Sequence, residues 1–155
     1  MHLPLTVALG DHFEGRVLSM DKVTDPKHKW GNPDMLVLAP SALSSLQSDT
    51  ELDLALELFR SIDASPECVL ASIEVKFALG KDRAKWMSAI AETAANSLWA
   101  NEAWLVFVEG AGAREAGAPL YEDVVALART VEVGLLEVIV RNELTVVVHH
   151  EAPTR

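Results

Sequence analysis

Glu74 and Lys76 stand two residues apart in the alternating run LASIEVKFAL, residues 70–79. Side chains at i and i+2 of a strand share a face, so a carboxylate and an ammonium would stand side by side there. Two fates are open to such a pair. One is an ordinary ion pair on a half-exposed strand, the commoner outcome for Glu-x-Lys. The other is half of an active site, and that needs a further acid. Asp34 is the candidate, because it follows Pro33 and opens the apolar run DMLVLAP. Two carboxylates brought together on adjacent strands can share a divalent cation through hard oxygen ligands, and the backbone carbonyl of Val75 can supply another. A divalent cation held there by Asp34, Glu74 and the Val75 carbonyl would lower the pKa of a bound water and neutralise charge on a phosphoryl oxygen. Lys76 would orient that water or stabilise the developing charge.

These residues need strands and helices to position them. The run PLTVALGDHF, residues 4–13, puts Leu5, Leu9, His12 and Phe13 at helical spacing behind a first-turn proline. RVLSMDKV reads as a strand, TDPKHKWGNP as a turn-rich loop, and DMLVLAP as the strand that Asp34 opens. SDTELDLALELFRSI begins with the capping box Ser48-x-x-Glu51 and continues with one apolar helix face. After LASIEVKFAL, a helix is expected from about Asp82 to Trp99. Its buried stripe would be Met87, Ile90, Ala91, Ala94 and Leu98, with a separate polar strip of Ser88, Glu92 and Asn96. AWLVFVE reads as a buried strand and YEDVVALARTV as an amphipathic helix. GLLEVIV and LTVVVHH are two strands around a tight connection. The expectation is one α/β domain over residues 1–155, a central mixed β-sheet flanked by α-helices.

NPDMLVLAP, SIEVKFAL and the helix after them resemble the P-D...(D/E)-x-K signature of the restriction-endonuclease-like nuclease superfamily. More narrowly, WGNPDMLVL, EVKFAL, ANSLWANEAWLVF and EVGLLEVIV are similar to a group of largely uncharacterised bacterial proteins that carry this nuclease-like domain. The likeness runs from about Leu9 to Val148, and NSLWAN is its more specific piece. It implies a restriction-endonuclease-like core of a helix, three strands, a helix and a strand. It also implies metal ligation by Asp34 and Glu74, a catalytic Lys76, and a role for Glu92, which falls where related nucleases often carry a helix Gln pointing into the site. Trp99 and Asn101 match the narrower motif; Trp99 is expected to close the helix against AWLVF. The activity implied is Mg²⁺-dependent (or Mn²⁺-dependent) DNA endonuclease chemistry in defence or DNA processing, with RNA open as a substrate. The alternative is a non-catalytic module that keeps the fold and binds a protein partner.

Other features give weaker signals. The acidic residues Asp11 and Glu14 are the nearest candidates for a further ligand in the first helix, while DHFE and His149-His150 match no metal-ligand spacing, and the terminal histidines are expected to be solvated. The glycine-rich VEGAGAREAGAPL lacks a phosphate-cradle pattern. Cys68 is the only cysteine, which excludes an internal disulfide and a cysteine-based zinc site. The net charge is −10, from 13 Lys and Arg against 23 Asp and Glu, which repels a polyanion on average. Eight of those 13 bases nevertheless flank the two candidate segments: Arg16, Lys22, Lys27 and Lys29 before Asp34, and Lys76, Lys81, Arg83 and Lys85 at or after Glu74. This leaves room for a small basic footprint on an acidic body, not for a wide nucleic-acid groove. No apolar run is long enough for a membrane span, and no signal peptide is legible, so a cytoplasmic location without membrane contact is expected. A homodimer fits double-strand cleavage by one small site.

Overall fold

The computed structural model describes residues 2–19, 33–39, 69–77, 79–109, 121–141 and 143–154. Its elements are α1 (His2–Phe13), β1 (Arg16–Ser19), β2 (Met35–Ala39), β3 (Val69–Phe77), α2 (Arg83–Asn96), β4 (Glu102–Glu109), α3 (Glu122–Thr130), β5 (Gly134–Val140) and β6 (Leu144–His150). The expected capping-box helix at residues 48–62 lies outside the described residues. The strands form one six-stranded sheet in the order β1-β2-β3-β4-β5-β6. The β1–β2, β2–β3 and β5–β6 pairs are antiparallel, while β3–β4 and β4–β5 are parallel. The two parallel pairs coincide with the two helical crossovers: α2 joins β3 to β4 and α3 joins β4 to β5, as parallel pairing requires.

Alternation along the strands sorts the apolar residues into two cores. On one face, Leu5 and Leu9 of α1 pack with Met35, Val37, Ile73 and Val106. On the other, Trp86 and Ile90 of α2 and Val124 and Ala128 of α3 pack with Leu105, Phe107 and Leu135. The chain is thus a mixed sheet between helices, the α/β architecture its sequence pattern predicts. Among the described residues no helix is long and apolar enough to cross a membrane.

Two turns fix how the site is approached. Gly15 lies where α1 hands over to β1, and a Cβ there would come within 2.7 Å of the Leu38 carbonyl oxygen, so only glycine passes. Gly80, at φ 58°, turns β3 into α2. Its carbonyl accepts from the Trp86 indole at 3.1 Å. Asp82 then caps α2, its Oδ1 accepting from the Ala84 amide at 3.0 Å.

The α2 face differs from the expected stripe. Trp86, Ala89, Ile90, Thr93 and Asn96 are buried, whereas Leu98 is 85% exposed and lies beyond the helix end. The helix is rotated toward its small and polar residues because Trp86, anchored by the Gly80 carbonyl and packed edge-on against Phe107 at 4.7 Å, sets its phase. Thr93 is accommodated by donating to the Ala89 carbonyl at 2.8 Å.

Candidate functional site

In the register of β2 with β3, Met35 lies opposite Ile73 and Leu36 opposite Ser72. One further step places Asp34 opposite Glu74. The Asp34 carboxylate is fixed there by the Val75 amide, which donates to its Oδ2 at 2.7 Å. A side chain thereby takes over where the β2–β3 backbone ladder ends. Val75 itself points its side chain into the α1 core, so Glu74 and Lys76 project to the α2 face.

Lys76 Nζ stands 2.6 Å from Glu74 Oε1 and 2.8 Å from Glu92 Oε2. Glu92 reaches in from α2 and is steadied by the Ser88 hydroxyl at 3.3 Å from its other oxygen. All four charged residues singled out in the sequence, Asp34, Glu74, Lys76 and Glu92, therefore meet on one sheet face. The polar strip that predicted Glu92 holds for Ser88 and Glu92 but not for Asn96, which turns into the core.

Electrostatics are unequal across the cluster. Burial pushes the Glu74 carboxyl above its ordinary pKa, and the negative charges of Asp34 and Glu92 push the same way, against the pull of Lys76. Burial works against the Lys76 ammonium, but its hydrogen bonds to Glu74 and Glu92 outweigh that and hold its pKa above the ordinary lysine value. Lys76 is therefore a standing positive charge, suited to stabilising an anion and unsuited to accepting a proton.

Asp34 and Glu74 fit a hard divalent cation by donor chemistry: Asp34 is held by the Val75 amide beside Glu74, both offer carboxylate oxygens, and a cation, the Lys76 ammonium, already sits on Glu74. Among the described residues no three His, Cys, Asp or Glu side chains converge as ligands of one ion. Glu92 meets the cluster through the Lys76 ammonium. Asp11 and Glu14 belong elsewhere: Asp11 lines a groove of about 780 Å³ between α1 and β6, with Val7, His12 and Leu144, away from the Glu74 face.

Two other sequence readings change, and a third residue gains a role. His149, expected to be solvated, is largely buried and meets the fully buried Glu137 at 2.8 Å, Nε2 to Oε2. The signal was present in GLLEVIV, where an acid in the middle of a buried strand requires a polar partner. Trp99, expected to close α2 against β4, is 39% exposed and lies outside both cores. Its motif neighbour Asn101 has a structural role instead. The Asn101 amide donates to the Leu70 carbonyl at 2.9 Å, and its Oδ1 accepts from the Leu70 amide at 2.8 Å, which starts the β3–β4 pairing.

No protein-family model, curated protein or solved structure matches this chain, so the case for its chemistry rests on the residues of the site.

Proposed function

We propose that this protein is a metal-dependent phosphodiesterase of the restriction-endonuclease-like kind, acting on DNA, with Mg²⁺ or Mn²⁺ as its cofactor. The observation that carries the reading is the Asp34 carboxylate, one residue before β2, held by the Val75 amide next to Glu74, with the Lys76 ammonium bonded to that glutamate. A second support is the order of the described elements from α1 to β4: helix, three strands, helix, strand. Exposed Lys81 and Lys85, in the turn from β3 into α2 and at the start of that helix, offer positive charge near the end of the strand that carries Lys76.

Asp34, Glu74 and the Val75 carbonyl would hold the cation. When bound, it supplies Lewis acidity for a water nucleophile and for the phosphoryl oxygen. The remaining work belongs to the chain. The Val75 amide fixes the orientation of Asp34, and the buried wall around Glu74 keeps its carboxylate from wandering. Lys76 presents a permanent positive charge to the phosphate, where charge grows as the phosphodiester is attacked. Glu92, already bonded to Lys76, holds that ammonium near the reacting group.

Calorimetric titration of Mn²⁺ into the native chain and into the Asp34→Asn, Glu74→Gln double variant tests the site without a choice of substrate. The native chain should bind and the variant should lose at least tenfold in affinity, because both hard ligands are neutralised. Equal binding in the two would sink the site and favour the non-catalytic interaction module. Cleavage of DNA by the native chain should vanish in Lys76→Ala with the fold intact by circular dichroism.

A further inference from the structure

Glu74 faces two cations with one carboxylate. Lys76 occupies it at 2.6 Å, and the metal reading above requires the same group as a ligand. A divalent ion that takes Oε1, alone or together with the second oxygen, displaces the ammonium from Glu74, and the cost depends on where the ammonium goes. Sent to solvent, it would be lost to the reaction. Glu92 offers another place: its Oε2 is already 2.8 Å from Lys76 Nζ, and the Ser88 hydroxyl holds its other oxygen. Glu92 enters the cluster from α2 and meets it through Lys76.

We infer that Glu92 is a positioning residue that receives Lys76 when a divalent cation draws Glu74 away, so that cation binding moves the ammonium from one carboxylate to the other and keeps it at the site. The inference rests on the metal reading of the preceding section and adds a coupling between cation and lysine. The coupling has a signature that neither simple ligation nor a passive ion pair shares. With Lys76 present, losing the Glu92 charge leaves the ammonium with Glu74 alone and strengthens its competition with the metal. With Lys76 removed, that competition is gone, and Glu92 affects the metal only through its charge.

The test is a double-mutant cycle read by Mn²⁺ calorimetry at neutral pH on the native chain, Lys76→Met, Glu92→Gln and the double variant. Lys76→Met should tighten Mn²⁺ binding by releasing Glu74. Glu92→Gln should weaken binding about fivefold more in the native background than beside Lys76→Met, the lower range of site-to-site coupling. An equal loss in both backgrounds overturns the exchange, because a direct ligand or a remote charge acts with or without the lysine. No loss in either background overturns it as well. Failure of the underlying site looks different: the native chain then binds no Mn²⁺, or binds it undiminished with Asp34 and Glu74 neutralised, and the exchange falls with it. Lys76→Gln, run in parallel with thermal unfolding of every variant, shows that a shift in affinity does not come from a damaged fold.

Discussion

Lys76 and Glu137 lie in one row across the sheet, on either side of Phe107, each an ionisable group beside the apolar core of that face. Their surroundings differ. Around Lys76, three charged side chains share contacts, and the lysine and Glu92 side chains keep 30% and 38% of their surface exposed. Around Glu137, the carboxylate is sealed and the His149 side chain is only 12% exposed, with Phe107 stacked on the imidazole at 5.7 Å. A group with two partners and an open side can exchange one of them. A group buried with its imidazole under an aromatic lid cannot do so without opening the core. The first arrangement suits a working site; the second joins β5 to the edge strand β6.

The largest expected effect breaks the sealed pair. His149→Ala leaves Glu137 in the core without its imidazole, and loss of one partner from a buried pair costs about 3–5 kcal/mol. Urea unfolding should register that loss, while Mn²⁺ affinity at Asp34 and Glu74 stays as in the native chain. A stability change under about 1 kcal/mol, the range of exposed pairs, would show that the Glu137 cluster is no more closed than the Lys76 cluster.

A smaller effect tests the wall between the two. Phe107→Leu removes the stack on His149 and the edge contact with Trp86. Partial filling by leucine leaves a cost of about 1–2 kcal/mol, from lost aromatic contacts and a small cavity. If Phe107 insulates the clusters, stability falls and Mn²⁺ affinity moves by less than about twofold, within the additivity of independent sites. A larger change in affinity would join the clusters into one network.

The two clusters also differed in how visible they were in the sequence. Asp34, Glu74 and Lys76 were legible because strand alternation and the proline before Asp34 are local signals; periodicity placed Glu92 with Ser88 on one polar helix strip, and only the resemblance pointed it at the site. The Glu137 and His149 pair was not, because it depends on the antiparallel return of β6, with a register shift beside Leu135 and Leu136 that no local pattern encodes. The phase of α2 was missed for a related reason. Met87 and Leu98 are more hydrophobic than Ala89 and Thr93, but the indole bond from Trp86 to the Gly80 carbonyl decides which side faces the sheet. Sheet and helix identities thus followed from periodicity, whereas side-chain partners across the sheet needed the fold.

The smallest expected effect is the most direct measure of how open the Lys76 cluster is. Glu74 has a raised pKa, from burial first and then from Asp34 and Glu92 against the pull of Lys76, so ionising it costs more in the folded chain than in the unfolded one. Below the ordinary glutamate pKa the carboxyl is neutral in both states and the penalty is absent. As pH rises through the raised pKa the penalty enters in full. Glu74→Gln should therefore match the native stability in acid and exceed it at neutral pH, by no more than about 1 kcal/mol because the variant also loses the charge on its bond to Lys76. Glu92 continues to hold the lysine in that variant, which keeps the comparison free of a stranded ammonium. Unfolding at a series of pH values reads the crossover. A variant that becomes less stable than the native chain as pH rises would mean that the Lys76 bond dominates Glu74. The ammonium would then be fixed to that carboxylate much as His149 is fixed to Glu137, with little freedom to yield to a metal.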